Sequence, residues 1–343
     1  MLTQAPRRIN RRAFLSTAAI ATAGAALLAT APRVFADAPP PSPAPSPRRS
    51  HLAWVWQFDE DGDPQQIRSD LSAAGLGIML KTHDGTSWQG TWDHHPMGIA
   101  DAEHVKQAAA YFEAMNVPFH AWCVVSGTDP IAEARMAADV LSSGVRSLTF
   151  DLEPQEGSNY WLADAGAAKT FGDELRRLAP AGNLIVAPDP RPWQLKDVPM
   201  AEFAGFCNGI APQAYWDTFH SSANDDMFAK YGVDTGEAGV TPELLLDNSL
   251  KNLGRYGLPI TPAGAGAAGA GDMQRFLSHA NSLGMNTISV WRYGVTNQDV
   301  WQLLRQMAPP GPPPQLDDSQ AKLVLKQWLE RRNLSGGFSP LSR

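Results

Sequence analysis

Between His51 and Met307 the chain alternates short apolar or aromatic runs with helix-patterned segments, and it does so eight times. That alternation constrains the fold more than any other feature. The predicted strands are Leu52–Gln57, Leu76–Lys81, Val117–Val125, Arg146–Pro154, Asn183–Pro188, Gly209–Tyr215, Leu258–Ala263 and Met285–Arg292. Helices are expected at Asp101–Met115, Asp129–Ser143, Ala163–Leu178, Thr241–Tyr256, Gly271–Leu283 and Asn297–Met307, after one ending at Gly75 and with a weaker one near Met200–Phe206. Gly75, Gly144, Gly257 and Gly284 stand where helices end in a left-handed residue. Thr218–Val240 is a long connection of the kind that forms lids or binding loops.

Eight strand–helix units in roughly 250 residues match a (β/α)8 barrel. The competitor is a doubly wound open sheet. No Gly-x-Gly-x-x-Gly follows the first strand, which weakens a dinucleotide site. The expected class is therefore α/β, a single-domain (β/α)8 TIM barrel over 51–307 with no cofactor.

The flanks read differently. Asn10-Arg11-Arg12-Ala13-Phe14-Leu15-Ser16 and the Ala/Gly-rich apolar run after it match a twin-arginine export signal, with residues 1–36 removed after Val34-Phe35-Ala36. The run is too short and weak for a membrane span. This predicts contact with the twin-arginine translocase during export, then an extracellular, periplasmic or envelope location without stable membrane insertion. Residues 37–50 form a Pro-rich linker. Residues 308–343 add a second Pro-rich linker and a helix at 317–332, which either docks on the barrel or binds the envelope.

Residues 1–36 hold five arginines and no acid, so their removal makes a chain of net charge −7 more acidic still. Bulk charge then argues against nucleic acid or an anionic membrane as partner. Cys123 and Cys207 fall on distant strands and are expected as buried free thiols. No Cys/His spacing suits a metal, and His94-His95 reads as a solvated loop.

The fourth strand carries the sharpest chemistry. Side chains two apart on a strand share a side, so Asp151 and Glu153 stand together above Thr149, while Leu148, Phe150 and Leu152 face the helices. Neighbouring carboxylates repel when both are ionised, so one keeps its proton near neutral pH. Acid–base cleavage of a glycosidic bond needs such a group. An ion-pair network with Lys81 or Arg292 is the structural alternative.

Barrel sites lie at the C-terminal ends of the strands. There the chain places Trp56, Gln57 and Asp59; Lys81, His83, Asp84, Trp88 and Trp92; Trp122; Asp189, Arg191 and Trp193; Gln213, Tyr215, Trp216 and Asp217; and Trp291, Arg292 and Tyr293. Most of the eleven tryptophans are in this set, which suits sugar faces, although each could equally fill the core. His83 is a candidate to orient substrate or to titrate with the acid pair. Lys81 is a candidate counter-ion or Schiff-base lysine.

Three of these segments resemble the barrel glycosidases of glycoside hydrolase family 25, the lysozyme-like muramidases, and family 18, the chitinase-like enzymes. They are Phe150-Asp151-Leu152-Glu153, Pro212-Gln213-Ala214-Tyr215-Trp216-Asp217 and Val290-Trp291-Arg292-Tyr293. Thr149 and Arg146 stand where family 18 has further acids, and Asp59 is displaced from the first-strand aspartate of family 25. The resemblance implies Glu153 as general acid, with Asp151 holding its proton or supporting a reacting N-acetyl group. It implies Tyr215 and Gln213 as sugar-positioning residues and Trp291 as the floor beneath the sugar. Without an N-acetyl nucleophile, Asp217, Asp59 or Asp189 must supply the second function. Trp56, Lys81, His83, Asp189 and Arg292 complete the candidate substrate contacts.

The expected activity is that of a secreted glycoside hydrolase on a polysaccharide or peptidoglycan. The alternatives are a catalytically inactive, glycan-binding barrel of the envelope, and a hydrolase or lyase that uses Lys81 and His83 on a non-sugar substrate.

Overall fold

A computed structural model describes residues 51–154, 160–285 and 287–307. The expected leader, both Pro-rich linkers and the C-terminal helix lie outside these residues. The strands are β1 (Leu52–Val55), β2 (Gly77–Asp84), β3 (Ser87–Trp88), β4 (Phe119–Val124), β5 (Leu148–Leu152), β6 (Leu184–Pro188), β7 (Gly209–Ile210), β8 (Gln213–Ala214), β9 (Ala263–Ala265) and β10 (Ser289–Trp291). The helices are α1 (Phe58–Asp61), α2 (Pro64–Ala74), α3 (Ala102–Glu113), α4 (Pro130–Ser142), α5 (Ala165–Leu178), α6 (Pro192–Leu195), α7 (Met200–Phe206), α8 (Trp216–Phe219), α9 (Ser222–Lys230), α10 (Pro242–Leu253), α11 (Ala270–Ser282) and α12 (Gln298–Met307).

The sheet order is β7-β6-β5-β4-β2-β1-β10-β9-β8. Its pairings are parallel, apart from β3, which folds back on the end of β2. β7 and β8 are two halves of one stave, so the sheet closes into an eight-stave barrel. β7 pairs with β6, and β8 pairs with β9. Ala211 between the halves still donates to Val186 O at 2.8 Å, and Pro212 O accepts from Ala263 N at 3.0 Å. Pro212 has no N–H to give the ladder, which explains the break.

The same chemistry moves the seventh stave. It was expected at Leu258–Ala263, but the regular strand is Ala263–Ala265, preceded only by an isolated bridge at Ile260. Pro259 and Pro262 each lack a donor, so regular pairing starts beyond them. The Thr218–Val240 connection is partly helical, containing the last two residues of α8 and all of α9. Gly75, Gly144, Gly257 and Gly284 all have positive φ, as helix-ending residues require.

Helices start where a side chain satisfies free amides. Asp63, Asp101, Asp129, Asp164, Ser221 and Thr241 each accept a backbone N–H from the first turn of the helix they precede. The outward face of β5 shows why the helical shell packs. Phe150 meets Phe171 at 5.3 Å and Phe203 and Phe206 at 6.2 Å. The Phe206 ring fills the space that a Cβ on Gly172 of α5 would need, so that helix position requires glycine.

Candidate active site

The barrel interior is built from aromatic side chains. Trp54 of β1, Trp122 of β4 and Trp291 of β10 meet edge-to-face, with centroids 5.3 to 6.3 Å apart. Trp122 donates its indole N–H to Val55 O at 3.0 Å. Tyr215 lies 6.5 Å from Trp291 and is buried. These rings form a packed floor, as barrel interiors do.

Above the floor stands the acid pair. Strand alternation puts Asp151 and Glu153 on the inner side with Thr149, and they are only 2% and 4% exposed. Gln213 reaches from β8 and donates its amide N–H to Asp151 Oδ1 at 3.0 Å and to Ala187 O at 3.2 Å. Glu153 Oε1 and Thr149 Oγ1 are buried without a hydrogen-bond partner.

Burial pushes the Glu153 carboxyl well above the usual carboxylate range, and the neighbouring Asp151 and Asp189 charges push it further. Burial also raises Asp151, and the Lys81 ammonium opposes that rise. The hydrogen bonds Asp151 takes from Glu153 and Gln213 pull the same way as Lys81. The net effect still raises Asp151 to about 7, with the Asp84 charge adding to burial, so both acids hold protons more tightly than free carboxyls and Glu153 is the one further displaced.

The other predicted residues divide into several groups. Lys81 is buried, 3.3 Å from Asp84, and its ammonium lies 5.2 Å from the Trp122 ring centre. An ammonium held by a carboxylate lacks the free lone pair that imine chemistry needs. The β2–β4 register shifts between Lys81 and His83, which sets His83 opposite Cys123 and Asp84 opposite Val124. His83 therefore falls out of phase with Lys81 and packs on Trp88. Burial and the nearby Lys81 lower its pKa to about 3, so it stays neutral and does not share the titration of the acid pair. Asp84 takes the inward place that the unbroken strand would have given to His83.

Asp189 is committed to Arg191, whose guanidinium holds both of its oxygens, and Arg191 also reaches Asn224 at 3.0 Å. Asp59 and Asp217 are exposed and accept backbone amides from His94 at 2.6 Å and Thr218 at 2.7 Å. Arg292 is joined to Asp61 and lies over the half-buried Trp56 at 5.1 Å. That pair ties β10 to the end of β1, because Asp61 also accepts the Trp56 N–H at 2.6 Å. The Trp291–Arg292 peptide bond is cis.

Three aromatics of the sequence set turn outward. Trp216 packs on Phe276, Trp193 on Phe228, and Tyr293 bonds Asp70 at 2.6 Å. Both cysteines are buried free thiols whose pKa burial raises. Among the described residues, no group of three or more His, Cys, Asp or Glu could hold a metal ion. No described helix is long and apolar enough to cross a membrane.

No protein-family model matches the chain, and no curated protein matches it in sequence. Solved structures do resemble it. A glycoside hydrolase family 18 N-acetylglucosaminidase from Paenibacillus barengoltzii superposes with a TM-score of 0.53 at 10% identity, covering 75% of this chain and 99% of that one. The C-terminal domain of a chitinase-like protein from Desulfitobacterium hafniense DCB-2 gives 0.52 at 10% identity, over 76% and 99% of the two chains. A class V chitinase from Pseudomonas fluorescens Pf-5 gives 0.50 at 12% identity, over 75% and 98%. At such identities the likeness concerns the fold: the chain shares the TIM-barrel architecture of these glycosidases.

Proposed function

We propose that the protein is a glycoside hydrolase of a cell-wall or extracellular polysaccharide, exported by the twin-arginine route, with Glu153 as general acid. The observation that carries this reading is the buried Asp151–Glu153 pair under Gln213 at the mouth of the barrel. A carboxyl whose proton is retained near neutral pH is what protonation of a glycosidic oxygen demands. Asp151 orients that proton and stabilises positive charge developing beside it.

The second function falls to the substrate. Asp189 is taken by Arg191, and Asp59 and Asp217 sit exposed on backbone amides. Asp189 neighbours Glu153, but its hold by Arg191 argues against it as the nucleophile, and the exposure of the other two argues against them. An N-acetyl group on the sugar, with Asp151 supporting it, meets the need without a second protein nucleophile. N-acetylated glycans such as chitin or peptidoglycan are therefore the preferred substrate class. Gln213 and Tyr215 position the sugar, and Trp291 lies under it.

The inactive glycan-binding barrel is favoured by one fact, the 4% exposure of Glu153. One experiment separates the readings: reducing-end release from chitin, peptidoglycan and other polysaccharides by the mature protein and by Glu153→Gln. Hydrolysis that falls on the order of 10²- to 10⁴-fold in the variant supports the acid. Binding without release by either protein favours the inactive barrel. Equal hydrolysis by both removes Glu153 from the mechanism.

A further inference from the structure

Trp92 is unlike the other tryptophans. It is 40% exposed, whereas every other tryptophan among the described residues is buried or half-buried. A lone exposed apolar side chain is ordinary on a protein surface. Three further observations set this one apart.

The first is how firmly its backbone is held. Trp92 N donates to Gln89 O at 2.9 Å in a 3-10 turn. The next residue, Asp93, is buried, and its carboxylate accepts amides from Phe58 at 2.9 Å, His95 at 3.2 Å and Asp59 at 3.3 Å. Asp59 in turn accepts His94 N at 2.6 Å. The loop is thus bound to α1 from both sides. The backbone oxygen of Asp93 occupies the place a Cβ on Gly98 would take, so the loop also closes tightly on itself.

The second is position. The Lys81 ammonium lies 5.9 Å from the Trp92 ring centre and 5.2 Å from that of Trp122. The exposed indole therefore borders the inner row of the barrel, on the β2 side. β4 separates β2 from β5, which puts the two strands about 10 Å apart. The third is Gln89, in the same turn. It is 1% exposed, and neither atom of its amide has a protein partner. A buried amide left unpaired is costly and suits a hydroxyl-bearing ligand.

We infer that Trp92, on its clamped turn, is a stacking platform for a pyranose ring of an oligosaccharide, at a subsite remote from the ring cut at Glu153. The inference rests on the glycan reading above but not on catalysis. A rigid, pre-placed indole loses little freedom when it binds, so it lends affinity to long chains that short ones cannot collect.

The test measures calorimetric binding of chitohexaose, cellohexaose and xylohexaose, and of the matching disaccharides, to Glu153→Gln protein with and without Trp92→Ala. At least one hexasaccharide is expected to bind. Trp92→Ala then weakens it roughly tenfold and leaves the disaccharide unchanged, while Trp92→Tyr stays within about threefold of the parent. Equal hexasaccharide affinity with and without Trp92→Ala overturns the platform, as does the absence of any hexasaccharide binding. Unchanged thermal midpoints confirm that the clamp survives substitution. The outcome is distinct from that of the glycosidase reading. Binding through Trp92 without hydrolysis by the wild type upholds the platform and sinks the enzyme. Hydrolysis of polymer undiminished by Trp92→Ala in the wild type does the reverse.

Discussion

The barrel mouth carries two buried ionic groups that differ in kind. At the β1–β10 seam, Asp61 meets Arg292, an acid with a base, and the acid also accepts a backbone amide. At the end of β5, Asp151 meets Glu153, an acid with an acid, and Glu153 Oε1 has no partner. The seam sets a base against an acid, so its charges offset each other even though Arg292 Nε is also buried without a hydrogen-bond partner. The β5 pair sets like charges together and leaves its electrostatic demand open, and on the proposed reading that demand is what the chemistry uses. The useful distinction at a strand end is therefore complementarity rather than the presence of charge.

The largest expected effect separates the two directly. Glu153→Gln removes the proton donor and should lower hydrolysis on the order of 10²- to 10⁴-fold while leaving the fold intact. Arg292→Met should do the opposite kind of damage. It strands Asp61 in the seam, and losing one partner of a buried pair costs about 3–5 kcal/mol, read as a lower thermal midpoint. Adding Asp61→Leu to Arg292→Met should regain most of that loss. Recovery stops short because the Trp56 N–H loses its acceptor. A midpoint unchanged by Arg292→Met would remove the seam from the comparison.

Gly172→Ala probes a purely apolar control. Alanine should gain about 1 kcal/mol in helix propensity. The new methyl meets the Phe206 ring, and overpacking costs about 1–3 kcal/mol, so a net loss is expected in chemical unfolding. A stabilised variant would show that α5 and α7 separate easily.

The smallest effect is a pH slope. The folded-state pKa of Glu153 lies above its ordinary value of 4.5. Between those two values the native state binds more protons than the unfolded state, so unfolding releases protons. Stability then falls as pH rises through that window. Glu153→Gln should reduce the slope to the share of Asp151, whose pKa is also raised, to about 7, and should stabilise the protein at neutral pH relative to wild type. Arg292→Met should leave the slope in place.

Much of this was legible in the chain. Buried parallel strands read as continuous apolar runs, so the staves and their order emerge from Leu52–Val55, Leu148–Leu152 and Leu184–Pro188. Period-two alternation placed Asp151 beside Glu153 for the same reason. Applied to Tyr215 and Trp216, it also indicates that both cannot face inward, and Trp216 packs on Phe276. Pro212 and Pro262 carry the signals for the split sixth stave and the late seventh one. The register shift that turns His83 and installs Asp84 has no such signal, since nothing in Lys81-Thr82-His83-Asp84 marks an irregular strand. Pairing is decided by the partner strand, which a local reading of β2 does not contain. The commitment of Asp189 to Arg191 is likewise a matter of side-chain placement.

The most direct measurement takes one preparation of Glu153→Gln and reads it twice, for reducing-end release from N-acetylated glycan and for thermal midpoint at neutral pH. Release is expected to collapse while the midpoint holds or rises. Undiminished release, or a midpoint that falls as far as that of Arg292→Met, would contradict this and return the β5 pair to the structural class of the seam.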